Sequence, residues 1–146
     1  SGPEFTQQTV LSMDYDGFAE TFAVNTMAPM RVMQALIDNL KASSAPKVIS
    51  ITSQMGALAL DMPMAYAYCA SKAALNKLMK LAAVELGQQN IAVGVIHPGW
   101  VQTDMGGPGA EITAEQSAGG IIQAIEKITV ENNGQFLTWE GEAHPW

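Results

Sequence analysis

Hydrophobic residues in the first third of the chain recur at the spacing of a helix face. The pattern runs from about Ser12 to Lys41, and Asp14 lies at its N-terminal end, where a carboxylate stabilises a helix. Pro29 interrupts the pattern, because proline has no N–H to offer the carbonyl of Asn25 and its ring crowds that carbonyl. We therefore expect the Asn25 carbonyl to lose its helical partner, with water or some other group in its place.

Three short runs rich in β-branched residues lie between helical segments. The runs are 47–52, 91–96 and 134–139. One helix is predicted from about Tyr66 to Leu86, with Gly87 as a left-handed cap, and another opens at a Thr-x-x-Gln capping box at 113–116. This β-α-β-α-β order with short links predicts an α/β fold, a partial Rossmann-like, doubly wound parallel sheet of about three strands with covering helices.

Composition narrows the class of protein. The chain has 146 residues, 48% of them hydrophobic, which suits a single domain with its own core. Seven Lys and Arg against 14 Asp and Glu give a net charge of −7, so no nucleic-acid-binding surface is expected. No apolar run approaches the length of a membrane span, and no metal-ligand spacing occurs. One cysteine cannot form an internal disulfide, which predicts a reducing, cytoplasmic location.

Tyr68 and Lys72 lie four residues apart in a predicted helix, so both side chains are on one helix face. A neighbouring ammonium favours the phenolate and is expected to lower the pKa of the Tyr68 hydroxyl. Such a tyrosine exchanges a proton with a carbonyl or alcohol oxygen near neutral pH. Tyr66 lacks this arrangement, because Ala70 stands four residues further on. Any helix offers such pairs by chance, so the pair alone is weak evidence for catalysis.

Two loops follow predicted strands at one edge of the sheet. One strand ends in the hydroxyl residues Thr52 and Ser53, and the next leads into Pro98, Gly99 and Thr103. Open α/β sheets bind their ligands at the carboxyl ends of parallel strands. This edge is therefore the predicted ligand site, and it strengthens a catalytic interpretation of the tyrosine–lysine pair.

Together these features resemble the short-chain dehydrogenase/reductase family. Its motifs are matched in chain order by Val24-Asn25-Thr26, Ile51-Thr52-Ser53, Tyr68-Cys69-Ala70-Ser71-Lys72 and residues 98–103. The stretches 71–76 and 97–107 and the closing Pro145-Trp146 are similar to the C-factor-type carbonyl-reductase branch of that family. The resemblance covers nearly everything from Leu11 onward.

The resemblance implies hydride transfer between NAD or NADP and a small carbonyl or alcohol substrate. Tyr68 would be the acid/base, Lys72 would lower its pKa and hold the nicotinamide ribose, and Ser53 would hydrogen-bond the substrate oxygen. The main-chain carbonyl of Asn25 would hold a water that links Lys72 to solvent. The spacing from Ser53 to Tyr68 is slightly longer than in the commonest members, so Thr52 is a rival for Ser53. The residues bordering the cofactor would be Lys72, Pro98, Gly99, Val101 and Thr103.

The resemblance also implies that part of the family's fold is absent. The family's first half carries a Thr-Gly-x-x-x-Gly-x-Gly turn for the pyrophosphate of the cofactor, and this sequence has no such turn. We expect residues 1–5 to be an expression remnant and 6–146 to be the C-terminal catalytic portion, without the N-terminal nucleotide-binding half. The choice between NAD and NADP then lies outside the chain, and the cofactor need not be bound by this chain alone.

A strand at 47–52 without its neighbour would expose an apolar, uncharged edge that invites pairing with another chain. We therefore expect a homo-oligomer. An alternative to an enzyme is a non-catalytic oligomerising fragment that retains the catalytic residues. A further choice concerns Met55, Met62, Met64 and Met105, which either fill the core or line an adaptable apolar substrate pocket.

Overall fold

The computed structural model describes residues 8–146, so the predicted expression remnant at 1–5 lies outside the described residues. The helices are α1 (Tyr15–Phe22), α2 (Ala28–Ala35), α3 (Ile37–Ala42), α4 (Tyr66–Gly87) and α5 (Ala114–Lys127). A π-helical turn spans Ala23–Met27, and a 3-10 turn spans Gln54–Gly56. The strands are β1 (Lys47–Ile51), β2 (Ala92–Ile96) and β3 (Phe136–Leu137).

The three strands form one parallel sheet in the order β1-β2-β3. Every residue of β2 is buried, because helices pack on both faces of the sheet. Val93 and Val95 join the core on the α4 face, whereas Ala92 and Ile96 pack against α5 on the other face. The α/β prediction, with a three-stranded Rossmann-like sheet and covering helices, is confirmed. Among the described residues no strand pairs with the outer edge of β1.

The first predicted helix is divided into three. Asp14 caps α1 through its carboxylate, so this helix begins at Tyr15, slightly later than predicted. Ahead of Pro29 the N–H of Ala28 donates to the carbonyl of Ala23, five residues back, which creates the π turn. Because proline supplies no N–H, the register changes there and α2 starts anew with Pro29 in its first turn.

The end of α4 differs from the prediction. Gly87 keeps a helical conformation, and Asn90 is the residue with a positive φ, of 60°. A Cβ at position 87 would lie 2.7 Å from Nδ2 of Asn133. Asn133 in turn donates to the carbonyl of Ala83 at 2.6 Å. Close packing against the loop before β3, rather than a left-handed cap, therefore accounts for the glycine.

The last predicted strand, 134–139, shortens to two residues. The N–H of Thr138 donates to the carbonyl of Glu142 at 2.8 Å, and its own carbonyl accepts from Gly141 at 2.9 Å. The chain then turns back, and the N–H of His144 donates to the carbonyl of Phe136 at 2.8 Å. Backbone groups that would have extended β3 are thus used by this turn.

Candidate active site

The two adjacent hydroxyl residues that follow β1, Thr52 and Ser53, have different hydrogen-bond partners. Thr52 is 2% exposed, and its Oγ1 donates to Oδ1 of Asn76 in α4. Asn76 then donates through Nδ2 to the carbonyl of Gly56 at 3.3 Å. Ser53 instead accepts the N–H of Met55 at 3.1 Å and forms a side-chain hydrogen bond with Tyr68. The Thr52 hydroxyl is therefore used inside the core, and the Ser53 hydroxyl meets the phenol.

The first turns of α4 place Tyr68 and Lys72 on one helix face. The Lys72 ammonium lies 5.7 Å from the centroid of the Tyr68 ring. Its Nζ donates to the carbonyl of Ile51, at the end of β1, at 3.1 Å. Lys72 is also held close to the 3-10 turn, because a Cβ at Gly56 would lie 2.8 Å from the Cβ of Lys72. The lysine therefore lies between the tyrosine and the end of β1, two residues before Ser53.

The pKa of Tyr68 differs in direction from the sequence prediction. Burial raises the pKa of the Tyr68 hydroxyl above its usual range, the hydrogen bond with Ser53 lowers it, and the neighbouring Cys69 raises it further. Burial also lowers the pKa of Lys72. The pKa of Tyr68 is therefore raised in this chain rather than lowered as expected, since removing the phenol from water outweighs the hydrogen bond with Ser53.

Asn25 contacts the start of α4 through its side chain. Its Nδ2 donates to Oγ of Ser71 at 3.1 Å, and Ser71 donates to the carbonyl of Tyr68 at 2.8 Å. Thr26 donates to the carbonyl of Ser71 at 2.9 Å. The π turn is thereby fixed to the helix turn that carries Tyr68. The Asn25 main-chain carbonyl has no α-helical partner available, because residue 29 is proline.

Ser71 is fully buried and central to this network, yet sequence reasoning treated it only as part of a motif. Its place between Tyr68 and Lys72 gives no local sign of burial, because Ser is an ordinary residue inside a helix. The contact with Asn25 forms only when the helical segment around Asn25 packs on α4. That contact is long-range, so the structure was needed to find it.

The loop after β2 is held in a compact form. Gly99 has a φ of 82°, which favours glycine. The carbonyl of Pro98 accepts the hydroxyl of Ser117, in α5, at 2.6 Å. Further along, the Trp100 indole N–H donates to the carbonyl of Gly106 at 2.9 Å. These hydrogen bonds hold the loop against α5 and fix its own conformation. The loop residues therefore form a continuous surface beyond the end of β2.

These pieces enclose one cavity of about 490 Å³, which we call the inner cavity. It brings together six of the predicted site residues: Ser53, Tyr68, Pro98, Gly99, Val101 and Thr103. Lys72 and Asn25 do not line the cavity; Lys72 contacts the Tyr68 ring and Asn25 contacts Ser71. The remaining wall is mostly apolar and includes Met55, Met64, Met105, Trp100 and Ile121. The cavity therefore brings the hydroxyls of Ser53 and Tyr68 together in a largely apolar space, an arrangement suited to a carbonyl or alcohol oxygen.

One wall of this cavity is largely apolar. Pro98, Gly99 and Val101 present apolar surface to the space that Tyr68 and Ser53 face. Thr103 adds a hydroxyl, which accepts the N–H of Gly106 at 3.2 Å. A flat ring could lie against this wall, beside the hydroxyls of Ser53 and Tyr68.

Residues 8–146 offer neither a metal-ion cluster nor a membrane-spanning helix. No group of three or more His, Cys, Asp and Glu side chains is arranged to hold a metal ion there. None of the helices in that range is both long enough and apolar enough to cross a membrane.

Comparison with known proteins identifies a matching family and similar relatives. Residues 5–113 match the family of short chain dehydrogenases. The chain is 38% identical over 135 residues to the C-signal of Myxococcus xanthus, over 92% of this chain and 81% of that protein. It is 33% identical over 140 residues to 1-hydroxy-2-glutathionyl-2-methyl-3-butene dehydrogenase of Rhodococcus sp. (strain AD45), over 92% of this chain and 61% of that protein.

Two solved carbonyl reductases have the same fold as this chain. Carbonyl reductase Sniffer of D. melanogaster superposes with a TM-score of 0.89 at 31% identity. The NADPH-bound carbonyl reductase from chicken fatty liver superposes with a TM-score of 0.88 at 30% identity. In both comparisons 95% of this chain is covered, and it spans 61% of the length of the other chain. With the family match over residues 5–113, these findings confirm that the chain belongs to the short-chain dehydrogenase family.

Proposed function

We propose that this chain carries the catalytic portion of an NAD(P)-dependent carbonyl reductase or alcohol dehydrogenase. The observation that supports this most directly is the hydrogen bond between the Ser53 and Tyr68 side chains inside the inner cavity. Two hydroxyls that meet at one point can both bind the oxygen of a carbonyl. Because the chain spans 61% of the solved carbonyl reductases, the substrate and cofactor of the whole protein belong to this proposal.

Tyr68 is the proposed acid/base. Burial keeps its pKa above the usual range, so the hydroxyl carries its proton at neutral pH. In the direction of reduction that proton passes to the carbonyl oxygen as negative charge develops there. Ser53 donates a second hydrogen bond to the same oxygen and stabilises the charge. In the direction of oxidation Tyr68 must first lose its proton, which the raised pKa opposes.

Lys72 and Asn25 are proposed to support Tyr68 rather than to touch the substrate. Lys72 would hold the ribose hydroxyls of the cofactor, and its cation would favour the phenolate when the site is filled and water is excluded. The main-chain carbonyl of Asn25 would hold a water that links Lys72 to solvent. The Asn25 side chain already fixes the turn of Tyr68 through Ser71.

NAD or NADP would supply or accept the hydride when bound. Pro98, Gly99, Val101 and Thr103 would border its nicotinamide ring, since they share the cavity of Tyr68 and Ser53. Lys72 would border its ribose.

A cofactor titration of the purified chain tests this proposal. A rise in melting temperature with NADH or NADPH would show that this chain binds the cofactor by itself, because a ligand that binds only the folded chain stabilises it in proportion to RT ln(1 + [L]/Kd). In a full-length or reconstituted form, Tyr68→Phe should lower the turnover of a ketone by about 100-fold or more. Tyr15→Phe, an exposed tyrosine of α1, is the control and should retain turnover.

Two results would contradict the proposal. Tyr68→Phe with unchanged turnover would remove Tyr68 from the reaction. No melting shift with millimolar NADH or NADPH, together with no ketone turnover, would favour the alternative of a non-catalytic oligomerising fragment that retains the catalytic residues.

A further inference from the structure

Residues 142–146 form a segment that turns back along β3. The N–H of His144 donates to the carbonyl of Phe136 at 2.8 Å, which holds the segment against the strand. At its far end the side chain of Trp146 is partly buried against the core on the α4 face of the sheet. The reaction proposed above gives this segment no role, although it packs beside two elements of the site.

The ring of Trp146 is held between the sheet and α4. The Phe136 ring of β3 lies 5.6 Å away, centroid to centroid. On α4, Nζ of Lys80 lies 4.4 Å from the centroid of the Trp146 ring, where a cation is attracted by the π electrons. These two contacts fix residue 146 beside the helix that carries Tyr68.

The main chain of Trp146 contacts the loop that joins Ser53 to α4. Its main-chain oxygen accepts the N–H of Ala59 at 3.3 Å. The N–H groups of residues 57, 60, 62 and 64 donate to carbonyls only two or three residues back, so they fix the shape of the loop but not its place. Ala59 lies between Met55 and Met64, which both line the inner cavity. The bond to Trp146 therefore fixes this stretch of the cavity lining to a distant part of the chain.

The start of the segment has an anchor that does not depend on the Trp146 ring. The ring of His144 lies 4.6 Å from that of Phe136 and 4.7 Å from that of His97, centroid to centroid. A substitution of Trp146 should therefore release the end of the segment and leave its start in place beside β2 and β3.

Resting on the proposed function, we propose that Trp146 is a positioning residue for the reaction at Ser53 and Tyr68. Its ring is anchored between β3 and α4, and this anchor holds its main-chain oxygen at the N–H of Ala59. Trp146 does not line the inner cavity, so it acts through the loop rather than on the substrate. Without the ring the loop is free to move, and the Ser53 hydroxyl and the Met55 side chain occupy their places in the cavity for less of the time. Catalysis slows because the productive geometry is populated less often.

The kinetic test measures ketone reduction in a full-length or reconstituted form, per folded molecule and well below the melting temperature. Trp146→Ala should lower kcat by about tenfold or more, because the loop loses its distant anchor. Trp146→Phe keeps a ring for Phe136 and Lys80 to contact and should stay within about threefold of wild type. Lys80→Gln should lower kcat by about two- to fivefold, the effect of one exposed cation–π contact. Lys77→Gln, at another exposed lysine of α4, is the matched control and should leave kcat unchanged.

A second measurement on the chain itself separates positioning from stability and does not depend on turnover. The temperature coefficient of the Ala59 amide proton, measured by NMR, reports whether that N–H is hydrogen-bonded. It should be that of a bonded amide in wild type and Trp146→Phe, and that of a free amide in Trp146→Ala. The amide of Leu75, buried in the middle of α4, should stay bonded in all three.

The outcomes separate this inference from the proposed function. Trp146→Ala with a lower melting temperature but an unchanged kcat per folded molecule would show a structural role only and overturn the inference, while leaving the proposed reaction in place. An Ala59 amide that stays bonded in Trp146→Ala would also overturn it. Absence of ketone turnover in wild type would overturn the proposed function, whereas an Ala59 amide released by Trp146→Ala in the same chain would still support the anchoring of the loop.

Discussion

At the scale of the residue, the clearest division of roles is between Thr52 and Ser53. From the sequence, Ser53 is the expected donor to the substrate oxygen, and Thr52 is its rival. Both residues line the inner cavity, but the Thr52 hydroxyl donates to Asn76 whereas the Ser53 hydroxyl forms a hydrogen bond with Tyr68. The alternation of an extended chain sends neighbouring side chains to opposite sides, but which of the two meets Tyr68 depends on where α4 packs.

This division predicts opposite effects of two substitutions. Thr52→Val leaves the Asn76 amide without its hydroxyl partner and should lower the free energy of unfolding by about 1–3 kcal/mol. Its effect on turnover should be small. Ser53→Ala should change stability little and reduce kcat by about 100-fold, as expected for loss of one donor to a developing oxyanion. Urea titration and ketone reduction assays distinguish the two, and the reverse pattern would make Thr52 the donor.

The buried side chain of His97, which directly follows β2, makes the stability of the fold depend on pH. It is 6% exposed, and its Nδ1 accepts the N–H of Gly99 at 3.2 Å. The proton therefore resides on Nε2, a buried atom for which no described residue provides a hydrogen-bond partner. The ring of His144 lies 4.7 Å away, centroid to centroid. Burial first, and then the neighbouring His144, lower the pKa of His97 from 6.5 to about 4.

The sign of the pH effect follows from this depressed pKa. Between pH 6.5 and pH 4 the unfolded chain binds the proton at position 97 and the folded chain does not, so stability is lost as the pH falls through that window. From pH 7 to pH 4, wild type should lose about 2–3 kcal/mol more unfolding free energy than His97→Asn. Asparagine keeps an acceptor for Gly99 but does not titrate. Equal losses in urea titrations of both proteins would contradict the depressed pKa.

At the scale of the element, the loop from β2 to α5 shapes one wall of the inner cavity. Its closure depends on Gly106, where a Cβ would lie 1.9 Å from the carbonyl oxygen of Val101. The sequence predicted the Thr113 capping box that ends this loop, and the structure confirms it. The bond from Ser117 to Pro98 was not predicted, because it joins residues brought together only when α5 packs on the sheet.

Alanine substitutions in this loop should therefore have unequal effects. Gly106→Ala forces the loop away from Val101 and should reduce kcat/KM for a ketone by about 100-fold, since small displacements of an active-site wall are costly. Gly109→Ala is the matched control, because nothing lies within 4 Å of a Cβ there. The Trp100 fluorescence should change in the first variant and not in the second. Similar activity of both variants would show that the loop does not depend on this close approach.

At the scale of the whole molecule, apolar surface remains exposed on the α4 side of the sheet. Val32 and Leu36 on the helices before β1, and Leu81 and Val84 on α4, are each about half exposed or more. Leu81 also lines a groove of about 380 Å³ between α2, α3 and α4. The edge of β1 has no partner strand among the described residues. The expected homo-oligomer thus remains a prediction, with this side as the proposed contact.

Self-association should respond to charge on that side alone. Leu81→Asp places a carboxylate in the groove and should weaken dimerisation about tenfold or more, measured by sedimentation equilibrium at micromolar concentration. Ile122→Asp introduces the same charge at a residue 59% exposed on α5, on the opposite face of the sheet, and should leave association unchanged. A monomeric wild-type chain, or equal weakening by both variants, would contradict the prediction.

By itself the sequence determined the features that depend on near neighbours along the chain. The order of strands and helices, the shared helix face of Tyr68 and Lys72, and the interruption at Pro29 all follow from local spacing and from the missing N–H of proline. The direction of the Tyr68 pKa shift and the different hydrogen-bond partners of Thr52 and Ser53 required the tertiary structure. Those depend on burial and on contacts between residues far apart in sequence, and local patterns carry no information about how much water a side chain loses.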